Sequence, residues 1–214
     1  MSTTWNPSDK NSNITLSDLN LTAESATASY VGVRSTTSKN WGKLYAEFLV
    51  VTGTSSAGPE VGLATSSASL SGYIGSNTQS WGYFFGKGDT TSKKQYGGGI
   101  SAYGYGYGAD GDLLMMAVDL DNSMIWWGKN GAWGASGDPA TRANPAFSNV
   151  TLTPLYVITT VRTAKITANF GASAFTYTMP SGFSAWDSVI GEPMTCTDYR
   201  HVKSNASLHT RYFL

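Results

Sequence analysis

The sequence predicts an all-β fold built as a two-sheet antiparallel β-sandwich, and three observations carry this prediction. Stretches with apolar residues at helical spacing are nearly absent. Short apolar or alternating segments, typical of strands, occur along the whole chain. Glycine-rich turns separate these segments at short intervals, which is typical of sandwiches and barrels. The 214 residues are enough for one such domain with a short appendage.

The strongest strand signals lie in the middle of the chain. Residues 43–51 (KLYAEFLVV) alternate between two faces. Residues 113–118 (LLMMAV) form a continuous apolar run, which predicts a strand covered on both faces. Asp121 and Asn122 supply turn chemistry, and residues 124–127 return as the partner strand.

Weaker signals fill the remainder of the chain. Residues 155–161 and 165–170 predict a second hairpin. No internal repeat of propeller length is visible. Shorter strands are predicted around residues 14–16, 21–23, 30–33, 61–64, 73–74, 81–85 and 175–177.

Charged residues are scarce and balanced. They make up 13% of the chain, with 14 basic and 14 acidic residues, so the net charge is zero. Such a chain has no long-range field to attract nucleic acid or an anionic membrane, and neither partner is predicted. No apolar run approaches the roughly 20 residues of a membrane span. The low charge gives little colloidal repulsion, which favours association with partners or with copies of the chain.

Six strings in fixed order resemble the SPRY domain family. They read WGKLYAEF (41–48), VGLA (61–64), SWGY (80–83), YGADGD followed by LLMMAVD (107–119), IWWGKNG (125–131), and NFG with FTY (169–177). The resemblance covers roughly residues 5–186. It implies a concanavalin-like jelly roll of two packed antiparallel sheets, binding through loops at one end, and no catalytic residues of the family's own.

Two residues depart from the family pattern, because Met115 and Ser123 stand where the family usually has glycine. Met115 predicts extra packing volume in its core strand. The second change requires Asn122 or Ser123 to accept turn geometry that glycine would adopt with less strain.

Four further strings, TWNP (4–7), GDPA (137–140), NPAF (144–147) and PSGF (180–183), are similar to phage-encoded virion and tail-fibre proteins. This similarity implies a non-enzymatic structural or adhesin protein of a bacteriophage particle, such as a fibre, decoration or tail component. Its expected partners are other virion proteins or copies of itself, with a host-surface glycan or protein as a further candidate. No secretory signal follows Met1, and the single Cys196 is compatible with a reducing compartment, so we expect assembly in the bacterial cytoplasm and residence in the virion.

The composition changes near Asp187. Residues 187–214 hold both histidines and the only cysteine, and 28 residues cannot bury a core alone. We therefore predict a domain over residues 1–186 and a C-terminal extension over residues 187–214. The apolar end, Tyr212, Phe213 and Leu214, is the candidate assembly segment.

The glycine-rich stretch 97–108 is the first candidate binding surface. Tyr103, Tyr105 and Tyr107 occupy alternate positions, so an extended backbone places their rings on one side. Such rings could stack on sugars or anchor a protein partner, and Tyr73 joins this set. A core-lining edge strand with glycine bulges is the favoured alternative, because strand aromatics are commonly core.

A tryptophan-rich hairpin is the second candidate. Trp126 and Trp127 face opposite ways in a strand, so one is predicted in the core and the other facing outward or onto another layer. Trp133 follows the turn signal of Asn130 and Gly131 and is a candidate exposed anchor, with a structural role equally open.

Two sets of polar residues are candidates for metal binding or acid–base chemistry. The spacing of the aspartates favours turn capping over calcium or acid–base chemistry, because no calcium-loop glutamate follows them. Too few metal ligands, at no standard spacing, occur in the C-terminal segment to predict zinc, and neither a metal, a cofactor nor a catalytic residue is predicted. The aspartates are Asp110, Asp112, Asp119 and Asp121, and the C-terminal ligands are Cys196, His201 and His209.

The sequence is therefore compatible with three functions, of which a virion structural or adhesin protein ranks first. A stand-alone carbohydrate-binding module that uses Tyr103, Tyr105 and Trp133 ranks second. A glycan-degrading enzyme ranks third, because it requires two carboxylates about 5–10 Å apart in a groove.

Overall fold

The computed structural model describes residues 2–53, 58–85, 92–104 and 108–189. In these residues the chain forms two β-sheets that enclose one main apolar core. The strands are β1 (Trp5–Lys10), β2 (Thr15–Ser17), β3 (Thr22–Ser25), β4 (Val31–Lys39), β5 (Lys43–Gly53), β6 (Glu60–Ala64), β7 (Ser80–Phe84), β8 (Lys93–Tyr96), β9 (Gly99–Ala102), β10 (Leu113–Asp119), β11 (Met124–Lys129), β12 (Ala132–Trp133), β13 (Leu155–Val161), β14 (Ala164–Asn169) and β15 (Ser184–Ala185).

Sheet A has the order β1-β4-β13-β6-β7-β8-β9, and sheet B has the order β12-β11-β10-β5-β14-β3-β2. All neighbours within these two paths are antiparallel, and β15 adds a short parallel pairing to β5. The described residues contain no α-helix, only short 3₁₀ turns at Leu120–Asn122 and Gly134–Ser136. The predicted all-β sandwich is confirmed. No helix within the described ranges is long and apolar enough to cross a membrane.

The predicted two-sided burial of residues 113–118 is confirmed. Leu114, Met116 and Val118 point into the main core between the sheets, whereas Met115 and Ala117 belong to a second apolar cluster on the outer face of sheet B. Trp127 belongs to the main core and Trp126 to the second apolar cluster, so Trp126 packs onto another layer as expected.

A C-terminal strap, defined as residues 171–187, covers this outer face of sheet B. Phe175, Tyr177, Met179 and Phe183 from the strap join the second apolar cluster. The strap is held by backbone as well as side-chain contacts, since the amide of Trp186 donates to the carbonyl of Tyr45 at 2.8 Å.

The predicted hairpin over 155–161 and 165–170 is wrong in its pairing, although both strands exist. β13 pairs with β4 and β6 in sheet A, whereas β14 pairs with β3 and β5 in sheet B. The short link through Arg162 and Thr163 therefore crosses from one sheet to the other. The spacing of two apolar segments cannot distinguish a hairpin from such a crossing.

Two predicted short strands are loops instead. Residues 73–74 lie in the connection between β6 and β7, and residues 175–177 lie in the strap. In both segments backbone amides donate to a buried carboxylate, as Ile74 does to Glu60 and Thr176 does to Glu47. These bonds satisfy the amides without a strand partner.

Four strands, β1, β8, β12 and β15, are not among the predicted ones. β1 contains Pro7, which weakens a strand signal but is tolerated at the edge of a sheet. β8 reads KKQY and lacks an apolar alternation. The predicted boundary after residue 186 stays a prediction, and Tyr212, Phe213 and Leu214 lie outside the described residues.

Candidate interaction site on the outer face of sheet A

The site begins with the alternation of side chains along β6. Val61 and Leu63 point into the main core, so Glu60, Gly62 and Ala64 face the opposite side of the sheet. Strand register extends this row, because Glu60 lies opposite Phe84 of β7 and Phe84 lies opposite Lys93 of β8. One acidic residue thus stands on the outer face among apolar and basic neighbours.

The loop of residues 65–79 folds over part of this face. Ala68 and Ile74 from the loop pack on Ala64 and Ile158 in a small apolar cluster. The loop comes this close because Gly75 has a φ of +83°, and a Cβ at this position would overlap the carbonyl of Gln95. The loop thereby delivers Tyr73 and the amide of Ile74 to the position of Glu60.

A cavity of about 180 Å³ opens beside this loop. Its walls are mainly aromatic and its floor is polar. It is lined by Tyr30, Glu60, Tyr73, Phe84, Lys93, Gln95 and Ile100. Drug-sized ligands need roughly 300–1,000 Å³, so this volume suits a single side chain or a similarly small group.

Glu60 forms the floor of the cavity and is only 1% exposed. Its carboxylate accepts hydrogen bonds from the Ile74 amide at 2.7 Å and from the Thr160 hydroxyl at 2.6 Å. Burial raises the pKa of Glu60 to about 7, although the hydrogen bonds from Thr160, Ile74 and Gln95 act in the opposite direction. A carboxyl group whose pKa lies near neutral pH is therefore found at the floor of an aromatic-walled cavity.

Gln95 provides a polar atom without a partner at the same place. Its side-chain amide nitrogen donates to Glu60 across 3.4 Å, at the long end of hydrogen-bond distances. Its Oε1 atom is buried and has no hydrogen-bond partner among the described residues. Unsatisfied buried acceptors are rare in folded proteins, so this atom marks a position where a bound donor would be stabilised.

Positive charge lies at the rim rather than on the floor. The guanidinium of Arg162 stands 5.6 Å from the ring centre of Tyr30. Burial, followed by the nearby Glu60, raises the pKa of Tyr30, and Arg162 opposes this shift. Tyr30 therefore stays a neutral phenol at physiological pH.

The arrangement is suited to binding. A second cavity of about 180 Å³ lies on sheet B, lined by Glu47, Leu49, Leu113, Thr167, Ala168, Asn169 and Thr176. Among the described residues, each of the two cavities is lined by a single carboxylate, whereas glycoside hydrolysis requires a facing pair. The described residues include no group of three histidine, cysteine, aspartate or glutamate side chains placed to hold a metal ion.

The structure separates the binding residues predicted from the sequence. Tyr73 lines the cavity on sheet A. Tyr103 is only 6% exposed and belongs to the main core, where its ring lies edge-on to Tyr83. A ring packed between the sheets has the core role that the sequence favoured over ligand binding, so Tyr103 is not part of a binding surface. Tyr105 and Tyr107 lie outside the described residues.

Trp133 lies on the other side of the molecule. It is half-buried in sheet B, packs on the second apolar cluster, and meets the ring of Tyr45 edge-on at 6.3 Å between centres. Trp133 and Tyr73 therefore stand on the outer faces of different sheets and form no common site. The role of Trp133 as an anchor stays a prediction.

Two of the four aspartates cap local turns, as the sequence indicated, because each accepts from an amide three residues away. The other two accept from amides 57 and 79 residues away and so connect separate parts of the chain. Asp110 binds the amide of Gly53, Asp112 that of Ala109, Asp119 that of Asn122, and Asp121 that of Gly42. Cys196, His201 and His209 lie outside the described residues.

Sequence reasoning missed most of the cavity. One signal was available, because Glu60 begins a strand in which the outward positions are otherwise glycine and alanine. A lone acid on such a face predicts a buried polar contact. Nothing local connects it to Gln95, Phe84 and Ile100, which the sheet order brings together.

Comparisons with known proteins support the fold. No family model and no curated protein matches the chain. Among solved structures, the chain is similar to the PSpry domain of TRIM65, with 15% identity and a TM-score of 0.60 over 79% of this chain and 92% of that one. It is also similar to the SPRY domain of human HERC1, with 14% identity and a TM-score of 0.63 over 79% of this chain and 99% of that domain.

A third similar structure is stonustoxin, with 17% identity and a TM-score of 0.56; the match covers 79% of this chain but 27% of the toxin chain. At such identities the likeness concerns the fold alone. The chain thus has a SPRY-like β-sandwich fold.

Proposed function

We propose that the chain is a non-enzymatic protein-interaction module that binds its partner at the cavity over Glu60. The observation that carries the proposal is a buried acceptor with no described partner, the Oε1 atom of Gln95, on a residue that lines an aromatic-walled cavity. Aromatic walls supply contact area at low entropic cost, and a few polar atoms on the floor supply specificity.

The fold supports this proposal by analogy. Two of the similar structures are SPRY domains. The resemblance of this chain to that family implies binding rather than catalysis. The sequence resemblance pointed to loops at one end of the sandwich. The cavity opens instead on the face of sheet A, with one wall supplied by the loop of residues 65–79.

A peptide selection tests the proposal. A library of displayed peptides is selected on the purified protein and then re-tested on Tyr73→Ala and on Leu49→Ala, which alters the cavity on sheet B. We expect the selected peptides to lose at least about tenfold in affinity for Tyr73→Ala and to keep it for Leu49→Ala. Equal binding to all three proteins would contradict the location of the site.

We further propose that this module is a structural or adhesin component of a bacteriophage particle, such as a fibre, decoration or tail protein. Support comes from the strings TWNP, GDPA, NPAF and PSGF and from a net charge of zero, which favours assembly with other virion proteins or copies of itself. Mass spectrometry of purified particles tests this proposal. Peptides of the chain at near-stoichiometric levels are expected, and their absence would contradict it.

Host-surface glycan is the second candidate ligand. Tyr30, Tyr73 and Phe84 offer ring faces beside hydrogen-bonding groups, a combination that also suits a sugar. A glycan array probed in parallel with Tyr73→Ala separates the two candidates. Glycan binding that Tyr73→Ala removes would favour the carbohydrate-binding module over the protein-interaction module.

A further inference from the structure

The free edge of sheet A lies beside the cavity. β9 is the last strand of sheet A and pairs only with β8 within the described part of the chain. Its four residues, Gly99–Ala102, are all exposed, and Ile100 is 54% exposed. An edge strand of this kind usually carries protection such as a charge or a proline, and β9 has neither.

The register of β8 and β9 decides which backbone groups face outward. The amide of Tyr103 donates to the carbonyl of Ser92 at 2.9 Å, and the pairing continues from Lys93 opposite Ala102 to Tyr96 opposite Gly99. Antiparallel pairs alternate between hydrogen-bonded and non-bonded residues. The backbone groups of Ser101 therefore face β8, whereas those of Ile100 and Ala102 face the free edge.

Ile100 connects this edge with the cavity. Its backbone groups face outward, and its side chain lies opposite Gln95 and lines the cavity. A strand added beside β9 would place every second side chain on the same face of the sheet. One of those side chains would stand at the mouth of the cavity over Glu60.

We propose that the edge of β9 binds an extended segment of a protein partner, antiparallel to β9, and that this segment places one neutral, hydrogen-bond-donating side chain in the cavity. The proposal deepens the proposed function, because it names how the partner is recognised. Backbone pairing supplies affinity and the cavity supplies the choice of side chain, as in other cases of strand addition.

The charges around the cavity favour a neutral donor. A cationic side chain would meet Lys93 at the wall and Arg162 beside Tyr30 at the rim. An anionic side chain would meet the carboxyl of Glu60. The buried Gln95 Oε1 accepts but cannot donate, so a glutamine amide or a tyrosine hydroxyl is the complementary group.

A second copy of the chain is the weaker candidate for this edge. Stable protein interfaces use about 20–30 residues on each side, whereas pairing of β9 with itself would use four from each copy. A short peptide needs no such area, because the cavity adds a buried anchor to the backbone pairing.

Synthetic peptides provide the direct test. The probe is a blocked heptapeptide, Thr-Thr-Val-Gln-Val-Thr-Thr, with tyrosine, lysine, glutamate or alanine versions at the central position, and binding is followed by fluorescence anisotropy. We expect the glutamine and tyrosine peptides to bind at least about tenfold more tightly than the other three.

Methylation of peptide amides tests the strand pairing without changing the protein. In the antiparallel arrangement the amide of the central glutamine faces β9, and those of the two valines face away. Methylation of the central amide should reduce affinity by about tenfold or more, whereas methylation of a valine amide should leave it within about twofold. Equal effects of the two methylations would overturn the proposal.

The matched protein variants are Ile100→Pro and Ile100→Val. Proline removes an outward amide while the hydrogen bonds to β8 remain, so the fold should be retained, and this is checked by the thermal midpoint. Ile100→Pro should lower peptide affinity about tenfold and Ile100→Val less than about twofold. Sensitivity to Tyr73→Ala without sensitivity to Ile100→Pro would overturn strand addition and leave the cavity function standing.

Two other results would also overturn the inference. The first is absence of binding by every peptide at millimolar concentration. The second is a concentration-dependent dimer in analytical ultracentrifugation that Ile100→Pro abolishes, because a second copy would then occupy the edge.

Discussion

The outer face of each sheet contains one glutamate that is 1% exposed, and the hydrogen-bond donors around the two carboxylates differ. On sheet B, Glu47 accepts hydrogen bonds from the Tyr45 hydroxyl and from the amides of Thr176 and Tyr177, all at 2.8–2.9 Å. On sheet A, Glu60 has one backbone donor, one hydroxyl and a glutamine amide at 3.4 Å.

Burial alone therefore does not identify a functional carboxylate. Glu47 fastens the strap, and the strap brings its own apolar side chains to cover the sheet. Glu60 lies under an open cavity beside the edge strand β9, whose far side pairs with no other described strand. The acid on sheet B therefore has a structural role, whereas the acid on sheet A lies on the face that contains the proposed binding site.

The largest expected effect is the loss of the strap anchor in Glu47→Ala. This change leaves the Tyr45 hydroxyl and two amides without their acceptor, and each unsatisfied buried donor costs about 1–3 kcal/mol. We expect the free energy of unfolding to fall by about 3–5 kcal/mol in denaturant titrations.

The matched control is Glu24→Ala, which removes a half-exposed partner of Lys165 at 3.4 Å. A surface pair of this kind contributes at most about 1 kcal/mol. A loss for Glu47→Ala no larger than for Glu24→Ala would show that the strap does not depend on its carboxylate.

The second effect is a dependence of stability on pH that comes from Glu60. Its pKa is about 7 in the folded protein, above the ordinary glutamate value of 4.5, so the folded state binds the proton more tightly. Stability from this group is complete below about pH 4.5 and is lost as pH rises through 7, by an amount on the order of 3 kcal/mol.

Glu60→Gln should remove this loss. Denaturant titrations at several pH values between 5 and 8 should show a steeper decline for the unchanged protein than for Glu60→Gln. Parallel pH profiles for the two proteins would mean that burial does not raise the pKa of Glu60.

The packing of the loop over sheet A and of the strap over sheet B can be compared at two glycines. Gly75 and Gly182 have similar φ values of +83° and +81°. A Cβ at Gly75 would overlap the Gln95 carbonyl, whereas a Cβ at Gly182 would meet nothing within 4 Å. Gly182→Ala should cost about 1–2 kcal/mol of backbone strain, and Gly75→Ala clearly more.

Thermal or denaturant unfolding of both glycine variants measures the difference. The excess cost of Gly75→Ala reports how closely the loop approaches the sheet. Equal costs would show that the loop stands farther from Gln95, which would widen the cavity and weaken its fit to one side chain.

The smallest effect is expected at the cavity on sheet B. Leu49 is 38% exposed there, so truncation removes only part of a side-chain contact. Leu49→Ala should cost less than about 1 kcal/mol in unfolding experiments and leave peptide binding unchanged. A loss of binding similar to that of Tyr73→Ala would mean that the strap side also contacts the partner.

Local chemistry made much of the fold predictable. The apolar run of β10 and the opposed Trp126 and Trp127 follow directly from the period of two along a strand. Ser123 has a φ of 59° in its turn, as its replacement of the usual glycine indicated. Met115 lies opposite Gly128, and its Cε occupies the space that a Cβ at this glycine would require, which accounts for the extra volume in that strand.

The site was less predictable because its contacts are distant in the sequence. Glu60 receives hydrogen bonds from Ile74, 14 residues away, and from Thr160, 100 residues away. The same limit explains the wrong pairing of β13 with β14, since the order of strands in a sheet is not encoded in either strand alone. Tyr103 shows a second limit, because the alternation along a strand predicts which residues share a face but not whether that face is the core.

Strand addition at β9 is tested by a map of amide chemical shifts in the 15N-labelled protein as the glutamine heptapeptide is added. We expect the shifting amides to cluster in β7, β8, β9 and the loop of residues 65–79, with the shifts of Ile100 and Ala102 among the largest, while the amides of β5, β14 and the strap stay unchanged. Shifts centred on the strap and the cavity beside Glu47 would contradict it.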